Sequence, residues 1–304
     1  MIAPTLIVLL GPTGVEKTEL SLQIAEQFAA PVVSCDSRQF YKEMKIGTAA
    51  PTQEQLARVT HYFIATRSIK EEYNAGNYEE DAIRLLEKLF EKHKIVLLTG
   101  GSMMYIDAVC KGFDELPAVP AAVRSKWNKI YEEKGLEFIR QKLQEADPDY
   151  YSQVDIYNHK RIIHALEICE IAQMPYSHLR KKQEKQRPFN ILKIGLNRPR
   201  AELYERINRR VDQMIQEGLE NEARKLFAYR HLNALNTVGY KELFNYFCGH
   251  ITHDEAISLI KQDTRRYAKR QLTWFNRDGA ITWFHPEQKN EIIDFLKLKV
   301  VSFK

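Results

Sequence analysis

Apolar positions along this chain follow two periods, and the places where one yields to the other predict its organisation. Residues 7–10 form a continuous apolar run that ends in Gly11, Pro12, Thr13 and Gly14, after which Leu20, Ile24 and Phe28 recur at helical spacing. That is the pattern of a buried strand, a glycine turn and an amphipathic helix. Further β-type runs stand at 31–35, 62–65 and 95–98, the last entering Gly100 and Gly101. Between the last two, Ala82, Leu85, Leu86, Leu89 and Phe90 share a helical face. Strands alternating with helices predict right-handed crossovers and a mainly parallel sheet, with any ligand held beyond the C-terminal ends of the strands.

From about Pro117 the β pattern stops. Residues 123–180 carry helical spacing with breaks at Asp147-Pro148 and Met174-Pro175, because proline cannot continue a helix. Strand character returns at 191–196, and helical spacing then fills about 200–275. The expected fold class is α/β, a parallel sheet flanked by helices with an inserted helical domain. The expected domains are a core in two parts, 1–117 and 188–304, and an insertion at 118–187. Residues 180–187 read as a short, basic, solvated connector that includes Lys181, Lys182 and Lys185.

Composition narrows the picture little. A chain of 304 residues, 44% hydrophobic, has material for one sizeable core and a smaller appended one. Its net charge of +5 favours nucleic acid only where basic residues cluster. Cys35, Cys110, Cys169 and Cys248 lie far apart and suggest neither a zinc site nor a disulfide framework. No apolar run reaches the roughly 18 residues that span a bilayer, and no basic leader opens the chain. The expectation is a cytoplasmic monomer with reduced thiols and no membrane partner.

The first glycine turn carries the sharpest chemistry. Gly11, Pro12, Thr13, Gly14, Val15, Glu16, Lys17 and Thr18 match the phosphate-binding pattern G-x-x-x-x-G-K-[ST], except that Glu16 replaces the last glycine. Backbone N–H groups at a helix N-terminus favour a diphosphate, Lys17 adds a point charge, and Thr18 is suited to ligate Mg²⁺ bridging the phosphate oxygens. Glu16 brings a Cβ and a negative charge into the loop, which predicts backbone strain and repulsion of the anion. A nucleotide hydrolase would place an acid at the end of an apolar strand, but 95–98 runs into Thr99 and Gly100. The available carboxylate is Asp36, after the second strand, and it suits a metal ligand, a general base or a helix cap equally well.

Taken together, several motifs resemble the tRNA dimethylallyltransferase family, also called tRNA isopentenyltransferases. They are Gly11-Pro12-Thr13 with Lys17-Thr18; Asp36-Ser37-Arg38-Gln39 followed by Tyr41 and Ile46-Gly47-Thr48-Ala49; and Gly100-Gly101-Ser102 with Tyr105. Lys160 to Glu167, Val238 to Glu242 and Thr264 to Phe275 continue the match over nearly the whole chain. The resemblance implies a P-loop nucleotide-kinase-like fold whose loop holds the diphosphate of dimethylallyl diphosphate. It implies Asp36 as the general base on adenine N6, Ser102 beside the target base, and Lys17 and Thr18 holding the leaving group with Mg²⁺.

The partner so implied is a tRNA anticodon stem-loop, met by Asp36, Ser37, Arg38, Gln39 and Ser102 at the base. Arg124, Lys160, Arg161, Ile162, Ile163 and His164 would meet it in the insertion, and Arg265, Arg266, Lys269 and Arg270 on a late helix. Three positions depart from the family's usual residues: Glu16 for glycine, Ser102 for threonine and His164 for arginine. Arg209 or Arg210 is a candidate extra cation for the diphosphate, set against an exposed helix face. Ser34 joins Ser37, Gln39 and Ser102 as a candidate reader of base edges, while Tyr267 and Trp274 read as core. The rival readings are an ATP-dependent small-molecule kinase and a tRNA-binding relative whose loop Glu16 disables.

Overall fold

The computed structural model describes residues 3–181 and 183–302; Lys182 of the basic connector lies outside the described residues. The chain forms two compact units, 1–110 with 186–304, and 111–185. The core's last helix before the inserted unit ends at Cys110.

The core unit opens with β1 (Thr5–Leu10), α1 (Lys17–Phe28), β2 (Val32–Ser34), α2 (Gln53–Arg58), β3 (His61–Tyr62), α3 (Ala75–Phe90), β4 (Ile95–Gly100) and α4 (Met103–Cys110). The inserted unit holds α5 (Ala121–Ala146), α6 (Pro148–Tyr151), α7 (His159–Ala172) and α8 (Tyr176–Leu179). The core resumes with β5 (Asn190–Leu196), α9 (Arg200–Gln216), α10 (Leu219–Leu226), α11 (Tyr240–Phe247), α12 (His253–Phe275), β6 (Ile281–Phe284) and α13 (Lys289–Ser302). The strands make one sheet in the order β3-β2-β4-β1-β5-β6, every neighbouring pair parallel.

Every residue of β1 is buried, as a central parallel strand covered on both faces must be, which is why its sequence is continuously apolar rather than alternating. One face of the sheet packs Ile7 and Leu9 with Leu20 and Ile24 of α1 and Ile207 of α9. The other packs Leu6 and Val8 with Tyr78, Ala82 and Leu86 of α3. Register sets the ends level: Leu10 lies opposite both Gly100 and Gly195, and Ser34 opposite Thr99. The turns leaving β1, β2 and β4 therefore emerge along one rim.

Two elements differ from the apolar pattern. The strand expected at 62–65 stops at Tyr62, since Phe63 (φ 62°) and Ala65 (φ 49°) take left-handed backbone that a strand cannot continue. β6 carries no expected signal; its four residues are too few to show a period.

In the inserted unit α5 is broken at Gly135, where φ is 76° and ψ −176°. Ile139 and Leu143 pack on Ile162, Ile163 and Leu166 of α7. Asp147, fully buried, caps α6 and ties α8 to it: Oδ1 accepts the Tyr150 N–H at 2.9 Å and the Ser177 hydroxyl at 2.8 Å, and Oδ2 accepts the Ser177 N–H at 2.6 Å. The breaks expected at Asp147-Pro148 and Met174-Pro175 fall between α5 and α6 and between α7 and α8. No helix of the described residues is long and apolar enough to cross a membrane. Asp147→Ala strands three donors, two of them backbone, and should lower stability by about 2–4 kcal/mol in urea unfolding followed by circular dichroism; a loss below about 0.5 kcal/mol would show the tie to be idle.

Candidate active site

The rim of β1, β2 and β4 opens a crevice lined by Thr13, Gly14, Glu16, Lys17 and Thr18 on one side and Ser34, Asp36, Gln39, Thr48 and Ala49 on the other, with Arg210, Tyr267 and Gln271 from later helices. The phosphate loop and Asp36 thus line one crevice.

α1 starts at Lys17 with no side-chain cap, so the N–H groups of its first turn keep the anion-binding character of a helix N-terminus. Lys17 Nζ donates to the Gly11 and Pro12 carbonyls, both at 3.0 Å. Burial, then the neighbouring Arg210 guanidinium, bring the Lys17 ammonium down to about 8, with Asp36 pulling it the other way. Burial also lowers Arg210, against the pull of Asp36. Arg210 therefore faces the crevice and not solvent, whereas Arg209 pairs with Glu205 on the exposed side of α9. Val15 belongs to the diphosphate set only through its loop position: its side chain is buried in the core and its N–H donates to Pro12 O at 3.4 Å.

Glu16 holds left-handed backbone at φ 75°, ψ 48°, which costs a non-glycine residue about 1 kcal/mol. The strain expected of it is present, but its charge is met. The carboxylate accepts from Nη2 of Arg198 and of Arg206, and Arg198, only 3% exposed, also pairs with Glu202. The Nε atoms of both arginines are buried without a partner among the described residues.

Asp36 Oδ1 accepts the N–H groups of Arg38 at 2.9 Å and Gln39 at 3.4 Å, so the turn after β2 fixes its direction. Ser102 is buried and its hydroxyl is engaged by Ser37, accepting from the N–H at 2.9 Å and donating to Oγ at 3.1 Å. It joins the β2 and β4 turns rather than pointing free into the crevice. Ser34 Oγ donates to Gln39 Oε1 at 3.3 Å. Ser37 and Arg38 are not among the lining residues; the Arg38 carbonyl accepts the Tyr41 N–H at 3.3 Å.

Two site residues escape the sequence pattern. Gln271 is 1% exposed; its Oε1 accepts the Thr13 N–H at 2.9 Å and its Nε2 donates to Gly101 O at 2.7 Å, lacing the phosphate loop to the β4 turn. Gly101 permits this because a Cβ there would come within 2.4 Å of Gln271 Nε2. Tyr267, read from sequence as core, lines the crevice, where burial and then the Asp36 charge push its hydroxyl up to about 12. Trp274 is partly buried and donates to Asp107 Oδ2 at 2.8 Å.

Of the basic residues on α12, Arg266, Lys269 and Arg270 are exposed, while Arg265 turns back to donate to Asn208 Oδ1 at 2.5 Å. In the inserted unit Lys160 and Arg161 are exposed on α7. Arg124 and His164 both approach the buried Glu167 carboxylate, at 3.6 Å each. Ile162 and Ile163 are buried at 0% and 5%, so their side chains belong to the unit's core and not to a nucleic-acid face.

Comparison with known proteins shows the family. The family model described as IPP transferase matches residues 39–278. The tRNA dimethylallyltransferase 1 of Bacteroides thetaiotaomicron is 57% identical over 296 residues, 97% of this chain and 96% of the relative. That of Bacteroides fragilis is 56% identical over 300 residues, 99% of this chain and 100% of the relative. The tRNA isopentenylpyrophosphate transferase of Bacillus halodurans superposes with a TM-score of 0.74 at 33% identity, covering 99% of this chain and 98% of its own. A eukaryotic dimethylallyltransferase acting on tRNA shares the fold, with a TM-score of 0.80 at 24% identity over 98% of this chain and 80% of its own. By the extent of these matches, the chain belongs to the IPP transferase family.

Proposed function

We propose that this enzyme moves a dimethylallyl group from dimethylallyl diphosphate to N6 of the adenosine on the 3′ side of a tRNA anticodon, releasing diphosphate. The observation that carries the reading is one crevice with two chemical ends: Lys17, Thr18 and Arg210 suit a diphosphate, and Asp36 faces them. The full-length relatives named as tRNA dimethylallyltransferases support it.

Adenine N6 is a weak nucleophile because its lone pair is delocalised into the ring, so the reaction depends on stabilising the departing diphosphate. The N6–C1 bond forms, the C1–O bond breaks, the diphosphate keeps the electron pair and the N6 proton passes to a base. Lys17 has three donor protons, of which two meet loop carbonyls, leaving one for a phosphate oxygen. Arg210, close enough to Lys17 to lower its pKa, adds a second cation. Asp36 Oδ1 is held by two backbone N–H groups, which aims Oδ2 at the proton to be removed.

No group of three or more acidic, histidine or cysteine side chains among the described residues forms a cation cage. Mg²⁺ needs no such cage, since it takes one or two protein oxygens and completes its shell with substrate phosphate and water. Thr18, exposed on the first turn of α1, would supply the protein oxygen. When bound, the ion neutralises charge on the leaving diphosphate. For the tRNA, exposed Arg266, Lys269 and Arg270 on α12 and Lys160 and Arg161 on α7 offer phosphate contacts.

The direct test is transfer of a labelled dimethylallyl group to an unmodified tRNA with Mg²⁺, beside Asp36→Ala. The variant should lose at least about 100-fold in turnover while its tRNA affinity stays within about twofold. Phosphoryl transfer from ATP to a small-molecule acceptor instead would establish a kinase.

Lys17 sets a pH dependence. Its ammonium is charged below about 8, and a bound diphosphate raises that value, so above 8 binding must take up a proton. Above about pH 8, where the free diphosphate is already fully ionised, affinity for dimethylallyl diphosphate should fall by up to about tenfold per pH unit. Calorimetry reads this, and the fall should vanish in Lys17→Arg.

Glu16→Gly removes a negative charge from the crevice wall and releases Arg206 toward it. Diphosphate affinity should rise several-fold in equilibrium titration at low salt, and equal affinities would refute the charge argument.

A further inference from the structure

Glu222 stands on α10, outside the crevice lining, yet it makes more hydrogen bonds than any single catalytic group needs. Its Oε2 accepts the N–H groups of Lys45 and Ile46, each at 2.9 Å, and its Oε1 accepts the Gly47 N–H at 3.0 Å and the Tyr240 hydroxyl at 2.7 Å. Three consecutive amides on one carboxylate form a nest that clamps the chain segment at one place. Tyr240 is fully buried, and the segment lies flat on its ring: a Cβ at Gly47 would meet the ring at 2.6 Å.

What the clamp holds is a wall of the reaction crevice. The next two residues, Thr48 and Ala49, line it. Their carbonyls accept from Gln39 Nε2 at 3.2 and 3.1 Å, and the Gln39 N–H in turn donates to Asp36 Oδ1. Hydrogen bonds joined by short stretches of covalent chain thus run from Glu222 through 45–49 and Gln39 to the carboxylate proposed as base. The diphosphate end is built separately, from the β1 turn, α1 and Arg210.

We propose that Glu222 is a positioning residue for the transfer step, setting the Thr48–Ala49 wall and through it Gln39 and Asp36, without a part in holding the diphosphate. This rests on the prenyl-transfer reading above. A carboxylate is required because it accepts at both oxygens. In Glu222→Gln one oxygen becomes an NH₂ that faces donors, so about half the clamp is lost in a side chain of the same shape.

The test is single-turnover transfer to tRNA by Glu222→Gln, alongside its affinity for dimethylallyl diphosphate by calorimetry and its circular dichroism. The transfer rate should fall between about tenfold and about 100-fold while the diphosphate affinity stays within about twofold. Tyr240→Phe, which removes one of the four donors from a ring of unchanged size, should shift the rate the same way by less. A normal rate in folded Glu222→Gln, or loss of rate and diphosphate affinity together, would overturn the assignment. Should Glu222→Gln not fold, Tyr240→Phe decides by the same split. No transfer by the unaltered chain would overturn the prenyl-transfer reading itself, whereas transfer by it with unaffected variants overturns only the role of Glu222.

Discussion

Two turns at the ends of neighbouring strands must stay a fixed distance apart for this crevice to exist, and a buried amide from the far end of the chain sets that distance. Sheet register brings Leu10 level with Gly100, but it says nothing about where the turns go after the strands end. Gln271 supplies the rest by accepting from Thr13 and donating to Gly101. Both partners are backbone groups at the rim, and leaving either unsatisfied would cost about 1–3 kcal/mol. The same helix presents Tyr267 to the crevice, Ala268 to the core and Arg266, Lys269 and Arg270 to solvent. One helix therefore ties the loops, walls the site and offers a basic face.

Much of the core was legible because its signals are local. A continuous apolar strand, a glycine turn and a 3.6-residue period lie within about 20 residues of one another, and burial of β1 on both faces explains the pattern directly. Asp36 was legible as a carboxylate at a strand end, though only the turn geometry distinguishes which of its oxygens is held. Gln271 was not, since a glutamine on a helix reads as surface, and its partners are 258 and 170 residues away. Glu222 was hidden for the same reason. Tyr267 defeats a hydropathy reading because a crevice wall and a core ask for the same aromatic bulk. Ile162 and Ile163 show the opposite error: a motif that is contiguous in sequence wraps around a helix, and half of it faces inward.

The phosphate loop illustrates how charge is managed when backbone preference is overruled. A left-handed position before a helix favours glycine, and Glu16 occupies it nonetheless. Its carboxylate is answered by two guanidiniums, one of them almost wholly buried. The loop thus sees a compensated group where its sequence suggested a bare negative charge. Arg198 in turn relies on Glu16 and Glu202, so acid and base at this corner keep each other in place.

The inserted unit has its own consequence, in the order of assembly. Its two ends meet, with the Lys185 N–H donating to Lys111 O at 2.7 Å, so residues 111–185 leave and rejoin the core through one neck. Contacts inside it close shorter stretches of chain than the β1–β5 pairing, in which Thr5 meets Asn190, the first residue of β5. Local pairings form sooner than distant ones, because less chain entropy is lost in closing them. On a growing chain every residue of the helical unit's core is present before β5 can join β1, so that core has its own partners available while the central strand still lacks one neighbour.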